Sequence, residues 1–145
     1  MYPVRRPAAV LATSALAAVS LLAAGCGTVT EVANNADAAR NTVEVCAEAA
    51  PKIVTAMGST ATAVANYRPG SAAEVERQIA ETFATLHREL EPLVGKARDT
   101  DVKAALEAVD TSANRWASQP ESFVRDGVDR LSELNTALQK ACGGG

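Results

Sequence analysis

The sequence predicts an all-α protein, an antiparallel (up-down-up-down) four-helix bundle following an N-terminal export segment and a short tether. Apolar residues recur at threes and fours through most of the chain after residue 42, and no stretch alternates as a strand would. Short polar or Pro/Gly breaks divide this pattern into four segments, and short connections favour antiparallel neighbours. Cys46 and Cys142 fall at the outer ends of the first and last segments, which an up-down-up-down layout brings side by side.

The first helix is predicted over about 42–66. Asn41-Thr42-Val43-Glu44 has the form of a capping box, an Asn cap with a Glu three residues on. Val43, Cys46, Ala50, Ile53, Met57 and Val64 form the expected buried stripe. Pro51 interrupts this run, removing one backbone hydrogen bond and favouring a kink. Tyr67-Arg68-Pro69-Gly70 ends the pattern, and Ser71-Ala72-Ala73-Glu74 is a second box opening a helix over about 71–94.

That second helix carries Val75, Ile79, Phe83, Leu86, Leu90 and Val94, with Pro92 and Gly95 weakening its end. The third, over about 100–117, takes Asp99 or Thr100 as its cap and shows Val102, Leu106, Val109, Ala113 and Trp116. Ser118-Gln119-Pro120-Glu121 combines a box with a first-turn proline, whose missing donor costs nothing there. The fourth helix, over about 119–142, is expected to bury Val124, Val128, Leu131, Leu134, Leu138 and Cys142, with Gly143 as a left-handed stop.

The domain divisions follow: 1–25 an export signal, 26–41 a tether or frayed helical stalk, and 42–145 the bundle. Arg5 and Arg6 form a short positive region, Ala8 to Leu22 is apolar, and Ala23-Ala24-Gly25 supplies small residues before Cys26. A peptidase groove binds extended backbone and rejects bulk beside the scissile bond, so small residues suit a cleavage point. The competing reading is an uncleaved anchor, for which roughly 15 to 17 apolar residues are marginal.

The run Leu21-Leu22-Ala23-Ala24-Gly25-Cys26 resembles the lipobox of bacterial lipoproteins, with Ala23 standing where Leu is usual. The chain as a whole is similar to a small actinobacterial envelope lipoprotein only over these 26 or so residues. The resemblance implies a diacylglyceryl group on the Cys26 thiol and cleavage before it. Cys26 would then be the first mature residue, membrane-anchored through acyl chains such as palmitate on the extracytoplasmic side. Arg5-Arg6 is similar to a twin-arginine signal, but Pro7, Ala8 and Ala9 replace the bulky residues that should follow, so ordinary export is expected. Two acyl chains meet the requirement for durable attachment.

The chain has three cysteines. With Cys26 lipidated, Cys46 and Cys142 remain as a pair, and in an oxidising compartment the default for such a pair is a disulfide. The alternative is two buried thiols that never meet. A bridge closing roughly 100 residues corresponds to about 4.7 kcal/mol of chain entropy.

Removing residues 1–25 takes away Arg5 and Arg6 and no acid, so the net charge of −3 becomes −5. That acidity excludes a phosphate-binding footprint, and no nucleic-acid partner is expected. It also removes any electrostatic pull onto anionic lipid. The mature chain is one domain of ordinary size, too short for a two-lobed solute receptor.

Little in the sequence points to catalysis. The single histidine is His87, beside Leu86 and Leu90, and it is expected as a boundary residue; the functional alternative takes Glu91, one turn later, as its partner in a metal site. Two ligands do not make a site, and paired Glu-x-x-His, CxxCH, HExxH and Gly-rich phosphate motifs are missing. Haem would have to use His87 with Tyr67 or Tyr2, and Tyr2 leaves with the signal. Trp116 is expected as a core anchor, with a recognition hot spot as the second reading. Glu74, Glu81, Asp126 and Asp129 are expected on solvated faces. The sequence thus predicts a non-enzymatic, lipid-anchored binding module without cofactor, whose partner is another envelope protein. The alternative is a small-ligand carrier for haem, metal or lipid, with a pocket between helices.

Overall fold

A computed structural model describes residues 28–143, with side-chain burial defined from residue 34. Cys26 and the 1–25 segment lie outside the described residues. Four helices account for nearly all of the rest: α1 (Thr28–Ala65), α2 (Ala72–Lys96), α3 (Thr100–Ser118) and α4 (Pro120–Gly143). Among the described residues there is no strand.

The contacts give the helix directions. Glu48 and Lys52 of α1 approach Lys96 and Glu89 of α2 at 3.7 and 3.8 Å, so those helices run oppositely. Phe83 and His87 of α2 meet Trp116 and Asp110 of α3 in the same opposed order. Phe123, early in α4, packs on Trp116 at the end of α3, whereas Cys142 at the far end of α4 reaches Cys46 of α1. The result is a four-helix bundle in which α4 closes back onto α1.

Its core is built from one stripe per helix. Val75, Ile79, Phe83, Leu86, Leu90 and Leu93 of α2 pack with Val102, Leu106, Val109, Ala113 and Trp116 of α3. Phe123, Leu131, Leu134 and Leu138 of α4 complete that side. Phe83, Trp116 and Phe123 form an aromatic cluster from three helices, with centroids 4.7 to 5.1 Å apart. Such pairs contribute about 0.5–1.5 kcal/mol each beyond their area. The α1 wall is thinner: Val45, Ala49, Ile53, Ala56, Thr60 and Ala63. Small side chains let α1 approach closely but bury little area each.

Several local expectations are corrected. α1 does not begin at residue 42: it is one 38-residue helix from Thr28, so of the tether and the helical stalk expected over 26–41 the helix is what is found from Thr28 on. Ala33, Ala36, Ala38, Ala39 and Arg40 are strong helix formers, and no Gly or Pro stops the helix there. Asn41 therefore lies inside the helix and caps nothing in it. The buried stripe of α1 is rotated by roughly a fifth of a turn from the predicted one: Val43 is 68% exposed, and Cys46, Met57 and Val64 sit at its edge. α1 is apolar over more than one face, and periodicity alone does not choose between faces.

The serine boxes also fail. Ser71 precedes α2 without a side-chain cap bond. Its Oγ accepts from the Arg68 N–H and donates to the carbonyls of Asn66 and Arg68, closing the preceding turn. Ser118 is still in α3, its Oγ donating back to the Asn114 carbonyl. With Gln119 alone between the helices, there is no room for it to cap α4. Asp99 does cap α3, accepting from the amides of Asp101 and Val102. In α4 the buried positions begin with Ser122, Phe123 and Gly127, while Val128 is 42% exposed. Gly143 is the last helical residue, without a left-handed φ.

Candidate functional site

Cys46 and Cys142 are joined, their Cα atoms 5.9 Å apart, across a sequence separation of 96. Each is half-buried at the edge of its helix's core stripe. The bridge ties α1 to the last turn of α4. At the same end, the Asn41 side chain spans from α1 to the α2–α3 connection, its Nδ2 donating to the Lys96 carbonyl at 3.1 Å and its Oδ1 accepting from the Arg98 amide at 2.9 Å. A covalent link and a two-way hydrogen-bond clamp therefore hold α1 near the point where its N-terminal part leaves the bundle. Beyond Asn41, residues 34–37, 39 and 40 are exposed and Ala38 is half-buried.

His87 lies at the boundary of the core, as its neighbours Leu86 and Leu90 require. Its partner is Asp110 of α3, with Nδ1 and Oδ1 2.7 Å apart and both side chains part-buried. Glu91 is exposed and takes no part. Asp110 follows the buried Val109 as His87 follows Leu86, so both residues flank the same α2–α3 seam. That offset from the two stripes was the available signal for the pair. Tyr67 sits in the turn before α2, whereas His87 is roughly 22 Å along α2 from Ala72 by helix rise. The haem pair is not brought together.

Trp116 is 4% exposed and occupies the aromatic cluster. Glu74, Glu81, Asp126 and Asp129 are exposed. Arg77 bridges Glu74 and Glu81 at 2.7 Å each. The hydrogen bond from Arg77, then that from Gln78, hold the Glu74 carboxyl below its ordinary value, and Arg77 is raised in return. Among the described residues no group of three or more His, Cys, Asp or Glu side chains is placed to hold a metal.

Among the described residues, open grooves follow the α1–α2, α2–α3 and α3–α4 seams. One, of about 720 Å³, lies between α1 and α2, lined by Pro51, Thr55, Ala56 and Leu86 together with the charged Glu48, Lys52 and Glu89. A second, about 560 Å³, passes His87, Arg88 and Asn114 between α2 and α3. A third, about 450 Å³, has Asp126, Asp129, Arg130 and Glu133 along α4, opposite Arg115 and Trp116 of α3. Among the described residues no helix is long and apolar enough to cross a membrane. No protein-family model, curated protein or solved structure matches the chain.

Proposed function

We propose that the chain is an exported lipoprotein, anchored to the extracytoplasmic side of the cell membrane through lipid on Cys26, whose bundle is a non-enzymatic protein-interaction module for an envelope partner. The observation that carries this reading is the pairing of Cys46 with Cys142, which leaves Cys26 as the remaining one of three cysteines. Disulfides persist in oxidising compartments, and Cys26 directly follows the apolar segment and its small residues. Acylation accounts for an otherwise free thiol outside the cell.

The position of α1 gives the anchor a mechanical role. Helix begins two residues after Cys26 in sequence, and from Thr28 to Cys46 it rises about 27 Å. A helix transmits orientation as well as distance, so such a stalk would hold the bundle off the bilayer in a preferred attitude rather than let it tumble on a random coil. The disulfide and the Asn41 clamp brace the root of that stalk.

Mass spectrometry of the mature N-terminus tests the reading. The expected result is an N-terminal Cys26 carrying diacylglycerol, and Cys26→Ser should shift the protein out of the membrane fraction. A processed chain with an unmodified Cys26 overturns the anchor. The carrier alternative draws its support from the α1–α2 groove, whose lining includes Pro51, Ala56 and Leu86. His87 lies instead in the α2–α3 groove, so Soret absorbance that disappears in His87→Ala would favour a haem carrier that uses that groove.

A further inference from the structure

The one histidine of the chain, His87, is held by a carboxylate. Its Nδ1 lies 2.7 Å from Asp110 Oδ1 across the α2–α3 seam, and both side chains are part-buried. A carboxylate accepts and does not donate, so the shared proton sits on Nδ1. In the neutral ring the lone pair free to bind a ligand is then on Nε2, at the opposite edge of the imidazole. Among the described residues the hydrogen bond of this ring is the one through Nδ1. Nε2 is thus a donor atom of fixed tautomer and orientation, the arrangement by which a carboxylate prepares a histidine to hold a metal.

The ring borders the groove of about 560 Å³ between α2 and α3, within the ordinary size of a small-molecule site. Ala84 of α2 and Ala117 of α3, both half-buried, line it with small apolar side chains. Two charged residues besides Asp110 bear on it, Glu81 and Arg88. Glu81 is taken by Arg77 at 2.7 Å. Arg88 instead donates to the neutral Thr85 hydroxyl at 3.2 Å, which leaves its charge for a ligand.

A bare metal ion does not suit this groove. Zn²⁺ or Cu²⁺ needs several protein ligands, and among the described residues no group of three or more His, Cys, Asp or Glu side chains is placed to supply them. An iron porphyrin brings its own equatorial nitrogens and asks the protein for an axial imidazole. Its flat apolar ring matches the alanine lining, and its propionates match an arginine, whose fork pairs with carboxylates.

We propose that the α2–α3 groove is a haem site in which His87 Nε2 bonds the iron, Asp110 positions that ligand, and Arg88 receives a propionate. Such a site supplies the carrier alternative with its ligand and rests on that reading, while it does not depend on the anchor. An open groove with a single bond from protein to iron suits haem in transit more than a resident group.

The test is haemin titration of the exported full chain with its disulfide intact. A saturable Soret band at one haem per chain is expected, and His87→Ala should lower the affinity at least about tenfold. Asp110→Asn keeps an acceptor for the Nδ1 proton but removes the charge. That variant should still bind one haem, with the reduction potential of the iron raised, because an anionic partner on the axial imidazole favours ferric iron. Arg88→Ala should weaken haemin several-fold and leave haemin dimethyl ester, which has no free propionate, unaffected. Uptake that never saturates would overturn both the site and the haem version of the carrier. A one-to-one complex with the same band and affinity in His87→Ala would overturn this site alone and leave haem to be carried elsewhere on the bundle. An unmoved potential in Asp110→Asn would remove the His87–Asp110 pair as the holder of the iron, a readout that stands even where His87→Ala fails to fold.

Discussion

Asn41 accepts, through its side-chain oxygen, a 2.9 Å hydrogen bond from the backbone amide of Arg98, 57 residues further along the chain. The same side chain donates to the Lys96 carbonyl at 3.1 Å. Lys96 ends α2 and Arg98 belongs to the connection leading to α3, where backbone groups have lost their intrahelical partners. An asparagine from another helix supplies both a donor and an acceptor there. It acts as a cap across the tertiary structure and sets the axial position of α1 against α2.

Asn41→Ala is therefore expected to lower stability by about 1 kcal/mol, the net worth of ordinary hydrogen bonds at an exposed site. Urea denaturation measures the loss. Amide exchange locates it, since the Arg98 amide should lose protection while Leu86 and Leu90 keep theirs. An unchanged Arg98 exchange rate would show that the clamp does not hold in solution.

Asn41 has the local spacing of a cap and the tertiary role of a clamp. The stripes of α2 and α3 were legible because each of those helices has one strongly apolar face and polar residues elsewhere: Val75 through Leu90, and Val102 through Trp116, are all buried as spaced. α1 has apolar residues on two faces, so Val43 could be mistaken for core when Val45 is core. Capping boxes failed for a different reason. Asn41, Ser71 and Ser118 each have the right residue type, yet Asn41 and Ser118 lie inside helices and Ser71 closes the preceding turn, which local spacing does not reveal. The Cys46–Cys142 pair was legible because the cysteine count, the expectation of export and the bundle topology converged on it, whereas His87 found Asp110 through an interhelical seam that no motif marks.

Reducing the disulfide should cost several kcal/mol, toward about 4.7 for a closed loop near 100 residues. Its effect should also be local. α1 presents no aromatic to the core, so its attachment relies on small side chains and the bridge. With reductant present, or in Cys46→Ser/Cys142→Ser, amides of α1 are expected to lose exchange protection before those of α2 and α3. Trp116 fluorescence, reporting the cluster with Phe83 and Phe123, should stay native until global unfolding.

Acid should act on the α2 surface through Glu74. Arg77 and Gln78 hold its carboxyl below the ordinary 4.5. A lowered folded value means that the stabilisation is present above 4.5 and fades as pH falls through the folded value. Glu74 is exposed, so solvent screening keeps the effect on global stability small. The sharper measurement is a side-chain NMR titration: Arg77→Ala should move the Glu74 midpoint upward, and an unmoved midpoint would remove Arg77 as its cause.

Gly127 offers a test of packing with an opposite-signed control. It is buried in α4 one turn after Phe123, and an added Cβ would lie 2.6 Å from the Phe123 Cγ, far inside contact distance. The ring cannot retreat, because it is fully buried with Phe83 and Trp116 centred 4.7 and 5.1 Å away. Replacing glycine by alanine inside a helix ordinarily gains about 1 kcal/mol, but overpacking a filled core costs about 1–3 kcal/mol. Gly127→Ala is therefore expected to destabilise, with a changed Trp116 emission as the cluster shifts. At Gly95, by contrast, an added Cβ meets nothing within 4 Å, so Gly95→Ala should gain about 0.5 kcal/mol. Parallel urea melts decide the matter: two variants moving in the same direction would mean that helix propensity, and not the fit of Phe123 against Gly127, governs this side of the core.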